Sequence, residues 1–215
     1  MHVTRQPRAA LRRARERKIV NATRALFDER GIQDARIDRI ARRVGINKAL
    51  IYRHFASKDE LFVLTITRYL AEINALLQAV DEETRDPSER LRRGFEALAD
   101  YGIDHPAFLD CALSLLRQPA EDLHEQLSDA VWLRLGRAMG ACIGWLADIL
   151  RDLDVAEADL RANQLYLQVI GVLHLARSGV ALRAIAPGVA ETFPVSAEEV
   201  RSACVQLAVA AARVD

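Results

Sequence analysis

Apolar residues recur at intervals of three and four positions along almost the whole of this 215-residue chain. That spacing places side chains on one face of an α-helix, whereas strands would show apolar and polar residues in alternation. The segment 178–195 differs because Gly and Pro punctuate it, and we predict a loop there. The chain is therefore predicted to be all-α.

The front of the chain divides into four predicted helices, over 11–30, over 36–44, a short one after residue 47, and a long one over 57–80. Two kinds of signal set these bounds: a glycine after the last helical residue, and a side-chain acceptor before the first. The helix-ending glycines are Gly31 and Gly45, and the capping residues are Asp34 or a near neighbour, Asn47, and Ser57, with Glu60 completing a capping box.

The rest of the chain predicts further helices of ordinary length, separated by prolines and acidic segments. We expect them over 87–102, from about 106, over 119–153 with a bend near Ser128, and up to 177 after a cap within 154–157. A last helix is expected after a capping box formed by Ser196 and Glu199.

The formal net charge of zero conceals two halves of opposite sign. Residues 1–61 contain 16 Lys and Arg against 7 Asp and Glu, a charge of +9, and residues 62–215 carry −9. A basic segment gains affinity for a polyanion by releasing the counterions that phosphates condense. The front of the chain is therefore a candidate for nucleic-acid binding, although surface arginines are also common in helical proteins.

The stretch VGINKALIYRHF, residues 44–55, contains two helix ends and an unusual helix face. Gly45 permits a tight change of direction, and Ile51 and Phe55, four positions apart, form an inner side. The opposite side carries apolar, aromatic and basic residues, namely Lys48, Leu50, Tyr52, Arg53 and His54. Two short helices with such an outer face fit a helix-turn-helix, whose second helix enters a DNA major groove.

Residues 12–64 resemble the DNA-binding domain of the tetracycline-repressor (TetR) family of bacterial regulators. The matching residues are Phe27, Gly31, Ile40, Ala41, Val44–Lys48, Tyr52, His54, Phe55, Ser57, Lys58 and Leu61. The resemblance implies a three-helix helix-turn-helix domain over 1–61, joined by a long helix to a helical ligand-binding and dimerisation domain over 62–215. It also implies a transcriptional regulator, most often a repressor released from a palindromic operator by a small-molecule effector.

The same resemblance implies DNA contacts for Arg36, Asn47, Lys48, Ala49, Leu50, Tyr52, Arg53, His54 and Lys58. Lys48, Ala49 and Leu50 would face base edges or adjacent backbone. Tyr52, His54 and Lys58 match positions that contact phosphate, and Arg53 could reach guanine or backbone. Arg36 stands where the family commonly has Thr or Ser, so its charge would replace a hydroxyl contact.

Three of these assignments have alternatives. His54 could instead turn inward beside Phe55, and Tyr52 could be a packing residue. The arginines of the N-terminal arm could contact the minor groove or the backbone, or could form a solvated tail. They are Arg5, Arg8, Arg12, Arg13, Arg15 and Arg17.

The predicted helix ending near 177 has two apolar stripes, so it must be covered on two sides. One stripe is Leu160, Leu167, Ile170, Gly171 and His174, and the other is Leu165, Val169, Val172 and Ala176. The last helix adds Val200, Cys204, Leu207, Ala208 and Ala211. In the family such helices pair with their copies, which implies a homodimer through the last two helices; the alternative is that both stripes are filled within one chain.

The resemblance further implies a mainly apolar effector pocket, although core packing is the favoured alternative for the aromatic candidates. The candidates are Tyr101, Phe108, Trp132, Met139, Cys142, Trp145, Tyr166 and His174. A glycine series, Gly136, Gly140 and Gly144, would admit either a neighbouring backbone or a ligand.

Other functional classes are weakly supported. The sequence has no Gly-rich phosphate loop, nucleophile elbow or metal-ligand spacing, so we expect no enzyme activity, no cofactor and no metal. Cys111, Cys142 and Cys204 are expected to be reduced core residues. No apolar run is long enough to span a bilayer and no signal segment is evident, so a cytoplasmic location is expected. The remaining rival is a helical adaptor that binds protein through a C-terminal groove and uses its basic front end only for loose attachment.

Overall fold

The structure, a computed structural model, describes residues 6–212 and the side chains of residues 9–212. Ten α-helices dominate this described part, which confirms the all-α prediction. The helices are α1 (Gln6–Arg30), α2 (Ile37–Val44), α3 (Lys48–Tyr52), α4 (Lys58–Glu83), α5 (Pro87–Asp104), α6 (Pro106–Leu116), α7 (Ala120–Glu125), α8 (Asp129–Asp152), α9 (Ala158–Ser178) and α10 (Ala197–Ala211).

The segment between α9 and α10 is a β-hairpin, so the predicted loop is wrong. Strands β1 (Val180–Ala186) and β2 (Val189–Pro194) pair antiparallel, with an irregularity between Ala184 and Ala186. Pro187 and Gly188 connect the paired residues Ala186 and Val189, and Gly188 has a φ of 75°. A proline followed by a glycine with positive φ suits a tight turn, so the residues that suggested a loop instead close a hairpin.

Two helices start where predicted but without the predicted side-chain caps. The residue before α2 is Arg36, which makes no side-chain cap bond, while Asp34 lies in a 3₁₀ turn and accepts from Arg39. α9 begins after Glu157, whose φ is 53° and whose side chain makes no cap bond. The helical region predicted over 119–153 is interrupted at its predicted bend, since α7 and α8 are separated by residues 126–128.

The caps predicted at Asn47 and Ser196 are confirmed. Asn47 Oδ1 accepts from the N–H of Leu50 at 2.8 Å, and Ser196 with Glu199 forms a complete capping box. At Ser57 only half of the predicted box is present. Its hydroxyl accepts from the N–H of Glu60, but the Glu60 carboxylate accepts from Ala56 rather than from Ser57.

The chain forms two compact units. The first contains the chain up to Tyr69 together with Asp110–Arg137, and the second contains Leu70–Leu109 and the chain from Ala138. Large side chains buried in the first unit include Ile19, Phe27, Ile40, Ile51, Phe55 and Leu61, and those in the second include Leu91, Phe108, Ile149 and Leu150. The functional boundary after residue 61 stays a prediction.

Within residues 6–212, no helix is long and apolar enough to cross a membrane. The same part of the chain contains no group of three or more His, Cys, Asp or Glu side chains placed to hold a metal ion.

Candidate nucleic-acid interface and ligand cavity

The turn between α2 and α3 is built by backbone hydrogen bonds at a left-handed glycine. Gly45 has φ 76° and ψ 36°, and the N–H of Ile46 donates to the carbonyl of Ala41 at 3.0 Å. The inner residues of α2 are all buried, namely Ile37, Ile40, Ala41 and Val44. A side chain at Gly45 would be strained, so the glycine fixes the direction in which α3 leaves the turn.

Helix α3 separates its core side from its outer side. Ile51 is 1% exposed and Phe55 is buried, whereas Tyr52 is 51% exposed and Arg53 is also exposed. Lys48 and Ala49 lie exposed in the first turn, and Leu50 is half-buried. Because Ile51 and Phe55 occupy the core, the phenol ring of Tyr52 is not needed for packing and is available to a partner.

The basic groups around α3 differ in their partners. The Lys48 ammonium pairs with the Asp38 carboxylate, and this hydrogen bond lowers the pKa of Asp38 from its ordinary value. The Lys58 ammonium lies 4.7 Å from the centre of the Phe62 ring. Arg36 and Arg53 are exposed. The predicted DNA-contacting residues other than Leu50 and His54 are thus exposed, and the Lys48 ammonium already has one partner, the Asp38 carboxylate.

His54 is the exception in this set. Its side chain is only 9% exposed, and Nδ1 lies 3.5 Å from Oε1 of Glu16 on α1. This placement favours the alternative in which His54 packs inward. A phosphate contact by His54 stays a prediction without support from its geometry.

The N-terminal arm is partly helical. Arg12, Arg13, Arg15 and Arg17 are exposed on α1, and Arg12 pairs with Glu16 at 2.9 Å, so these residues are not a solvated tail. Arg5 and the side chain of Arg8 lie outside the described residues.

Sequence reasoning missed one basic residue near α3. An open cleft of about 440 Å³ is lined by Arg12, Tyr52, Arg53 and, from α8, Arg134. Arg134 is far from α3 in sequence and belongs to no local motif, so only the fold could bring it there.

A small apolar cavity lies within the second unit, between side chains of α4, α5, α6, α8 and α9. Its volume is about 50 Å³. It is lined by Leu70, Ile73, Leu77, Gly94, Phe95, Leu98, Phe108, Cys142, Ile143, Trp145, Tyr166, Val169 and Ile170. Four of the eight predicted effector residues are among them: Phe108, Cys142, Trp145 and Tyr166.

The other four predicted effector residues do not line this cavity. The Tyr101 hydroxyl donates to Glu72 at 2.9 Å, and the Trp132 ring packs against His124 at 4.8 Å. Met139 is half-buried elsewhere on α8, and His174 is exposed on α9. The positions of these four residues therefore favour a place in the core or on the surface over contact with an effector. The aliphatic lining residues were missed because nothing in their chemistry distinguishes them from ordinary core residues.

Trp145 forms a well-defined wall of the cavity. Its Nε1 donates to Asp81 Oδ1 at 2.9 Å, and the same oxygen accepts from Arg90 Nε at 2.8 Å. A Cβ atom built on Gly94 would lie 2.2 Å from the indole ring. The indole therefore rests directly on the bare backbone of α5.

The polar groups of the lining are neutral near pH 7. Cys142 Sγ donates to Asn74 Oδ1 at 3.2 Å, and burial raises the pKa of this thiol to about 12. Burial also raises the pKa of Tyr166 to about 12. The glycine series 136, 140 and 144 does not admit a neighbouring backbone, since a Cβ atom at each position would meet nothing within 4 Å.

Helix α9 has one buried stripe and one open stripe within this chain. Leu165 and Val169 are buried, whereas Leu160 and Leu167 are 53% and 51% exposed. Val200, Cys204 and Ala208 of α10 are buried. The alternative that both stripes of α9 are filled within one chain is therefore wrong for Leu160 and Leu167, although Ile170 of the same stripe is buried.

Residues 19–64 match the family model of the TetR family of bacterial regulatory proteins. The chain is 33% identical over 91 residues to the transcriptional activator FasR of Mycolicibacterium smegmatis, covering 42% of this chain and 41% of FasR. It is 26% identical over 132 residues to the transcriptional repressor NicS of Pseudomonas putida, covering 61% of this chain and 59% of NicS. The alignments thus span less than two thirds of either relative.

Solved structures share the fold over most of the chain. A TetR-family transcriptional regulator from Streptomyces coelicolor superposes with a TM-score of 0.64 at 17% identity, covering 94% of each chain. The TetR-family repressor FadR from Thermus thermophilus, solved with lauroyl-CoA, superposes with a TM-score of 0.59 at 18% identity, covering 93% of this chain and 96% of FadR. These solved structures show the fold of the chain. Residues 19–64, which include the helix-turn-helix of α2 and α3, are a DNA-binding segment of the TetR type of bacterial regulatory proteins.

Proposed function

We propose that this protein is a sequence-specific transcriptional repressor that binds a palindromic operator as a homodimer and is released by a small-molecule effector. The observation that carries the proposal is the division of α3. Its core side is filled by Ile51 and Phe55, while Tyr52 and Arg53 are exposed on the outer side. An aromatic and basic face with no packing role has the chemistry that DNA contacts require.

Within this proposal, Lys48, Ala49 and Leu50 read base edges from the first turn of α3. Tyr52, Arg53, Lys58 and Arg36 contact phosphates, which position the helix but carry no sequence information. Asn47 acts mainly as the cap that holds the first turn of α3 in place. The exposure of all these residues except half-buried Leu50 supports the assignment.

A dimer follows from two considerations. A single five-residue recognition helix reads few base pairs, so two copies on a palindrome are needed for useful specificity. Leu160 and Leu167 on α9 present an exposed apolar stripe of the kind that a second copy covers.

Effector release is supported by the cavity and by the position of α4 in the chain. Helix α4 begins at Lys58 and also supplies Leu70, Ile73 and Leu77 to the cavity lining. A ligand that favours one conformation of this helix by a few kcal/mol would depopulate the DNA-binding form.

The relatives are named as regulators, which supports a regulatory rather than an enzymatic role. They do not decide between activation and repression, since FasR is an activator and NicS a repressor. We propose repression because occupancy of DNA alone suffices for it, whereas activation needs a further contact with the transcription machinery.

The test is a genomic-fragment binding selection at about 150 mM salt, a concentration that weakens non-specific phosphate binding steeply. The protein is first refolded from urea to remove any bound small molecule. We expect recovery of a short palindrome by the wild type and by the control Arg85→Ala, which removes an exposed arginine of the second unit. Tyr52→Ala and Arg53→Ala should lose it.

Recovery of bulk DNA without a common sequence would contradict the proposal and would favour a loosely DNA-bound adaptor. Equal recovery by Arg53→Ala and Arg85→Ala would contradict the assignment of the outer face of α3.

A further inference from the structure

The cavity of the second unit has an unusual chemical uniformity. None of its thirteen lining residues carries a charge. The thiol of Cys142 is already directed to Asn74, and the indole N–H of Trp145 is already directed to Asp81. A carboxylate, phosphate or ammonium placed inside would find no counter-charge in the lining, and burial of an unpaired charge is very costly.

The cavity is too small for a ligand unless a wall moves. Its volume of about 50 Å³ is a third of the roughly 150 Å³ at which an apolar protein cavity takes up benzene. The deep wall, including Phe95, Phe108 and Ile170, is fully buried. The wall formed by Cys142, Trp145 and Tyr166 is only half-buried, so entry requires movement on that side.

Trp145 is the largest side chain on the half-buried side, and its indole N–H donates to the Asp81 carboxylate. Asp81 keeps the guanidinium of Arg90 as a partner if the indole leaves. The Gly94 backbone beneath the ring offers a smooth surface without a side chain. Rotation of Trp145 would therefore leave no unpaired charge and would open the space that a ring-sized ligand needs.

We infer that the cavity binds an uncharged, hydrocarbon-rich molecule with an aromatic or alicyclic ring, and that Trp145 is the wall that moves to admit it. The ligand class is inferred from the cavity alone. Only the identification of this molecule as the effector rests on the proposed function.

The test uses the variant Trp132→Phe, which leaves Trp145 as the single tryptophan of the chain. Toluene, benzoate and benzylammonium are titrated separately, because they share one ring and differ in charge. We expect toluene to change the Trp145 fluorescence and to raise the thermal midpoint, with the two ions at least about 100-fold weaker. Cys142→Leu, which adds volume to the lining, should weaken toluene binding about tenfold; the charge comparison stands even if that variant does not fold.

Equal binding of benzoate or benzylammonium would overturn the ligand class, as would no binding of toluene. Toluene binding without a fluorescence change would overturn the role of Trp145. Operator binding, measured in parallel, separates the two proposals. If toluene binds but the operator stays bound, the ligand class stands and effector release fails. If the operator binds but toluene does not, the DNA-binding function stands and the ligand class fails.

Discussion

The ion pair between Lys48 and Asp38 sets a competition at the first residue of α3. The Asp38 carboxylate holds the Lys48 ammonium and competes for it with the DNA. We therefore predict that Asp38→Asn raises operator affinity severalfold, because it removes both the competitor and a negative charge beside the phosphates. Fluorescence anisotropy with the selected operator measures the effect.

A double-mutant cycle provides the control. In a Lys48→Ala background, Asp38→Asn should give a smaller gain in operator affinity. That gain comes only from removing the repulsion between the Asp38 carboxylate and the DNA phosphates. Because Lys48 lowers the pKa of Asp38, the pair is intact at neutral pH and is lost only as pH falls through that lowered value. The gain in operator affinity from Asp38→Asn should therefore be constant between about pH 6 and 8. A gain that changes with pH in this range would contradict competition by the Asp38 carboxylate.

Asn47 is predicted to act through stability rather than through contact with bases. Asn47→Ala removes the bond to the Leu50 N–H and should cost about 1 kcal/mol in the free energy of unfolding. Asn47→Asp keeps an acceptor and should restore most of that loss. Urea denaturation measures both, and equal stability of the Ala and Asp variants would refute the capping role.

At this scale the four-residue spacing of Ile51 and Phe55 predicts that both face the core, and it holds although Phe55 lies beyond the end of α3. The spacing could not predict the direction of His54, because that direction depends on a distant residue. The partner of His54 is Glu16, which lies 38 positions earlier.

Among the elements, the contact between α5 and α8 depends on the absence of a side chain at Gly94. Gly94→Ala would push a methyl group into the Trp145 indole and should lower the free energy of unfolding by about 1–3 kcal/mol. Combining it with Trp145→Phe should recover part of the loss, because the smaller ring leaves room. Chemical denaturation of the three proteins tests this expectation.

Gly136 on α8 is the matched control. A Cβ atom there meets nothing within 4 Å, so Gly136→Ala should stabilise the helix by about 0.5–1 kcal/mol. Stabilisation of both glycine variants by the same amount would mean that helix propensity, not the indole, governs Gly94.

Most helices were predictable because a buried helical face needs apolar residues at every turn. The break at residues 126–128 was predicted only as a bend near Ser128, since apolar residues continue on both sides of it. The hairpin was not predictable from spacing, because both faces of its strands are largely exposed and the apolar pattern has no polar side. Its signal was the Pro187–Gly188 pair between two apolar segments.

For the whole molecule, the exposed leucines of α9, Leu160 and Leu167, lead to a prediction about the oligomeric state. Leu160→Glu combined with Leu167→Glu should convert a dimer into a monomer and abolish operator binding, since like charges would face each other across a two-fold axis. Leu133→Glu, at a leucine of α8 that is 54% exposed, is the control and should leave the dimer intact. Sedimentation equilibrium distinguishes the outcomes, and a dimer that survives the double substitution would place the interface elsewhere.

The hairpin between α9 and α10 has a consequence for the behaviour of the purified protein. A two-stranded sheet has two edges with unpaired backbone groups, and such edges can recruit strands from other molecules. Leu182 is 72% exposed, and Ile185 and Val189 are exposed beside it, so little opposes this recruitment except the Arg183–Glu191 ion pair. Solubility on concentration, and the tendency to form aggregates on storage, should therefore be decided by this short ribbon rather than by the helices around it.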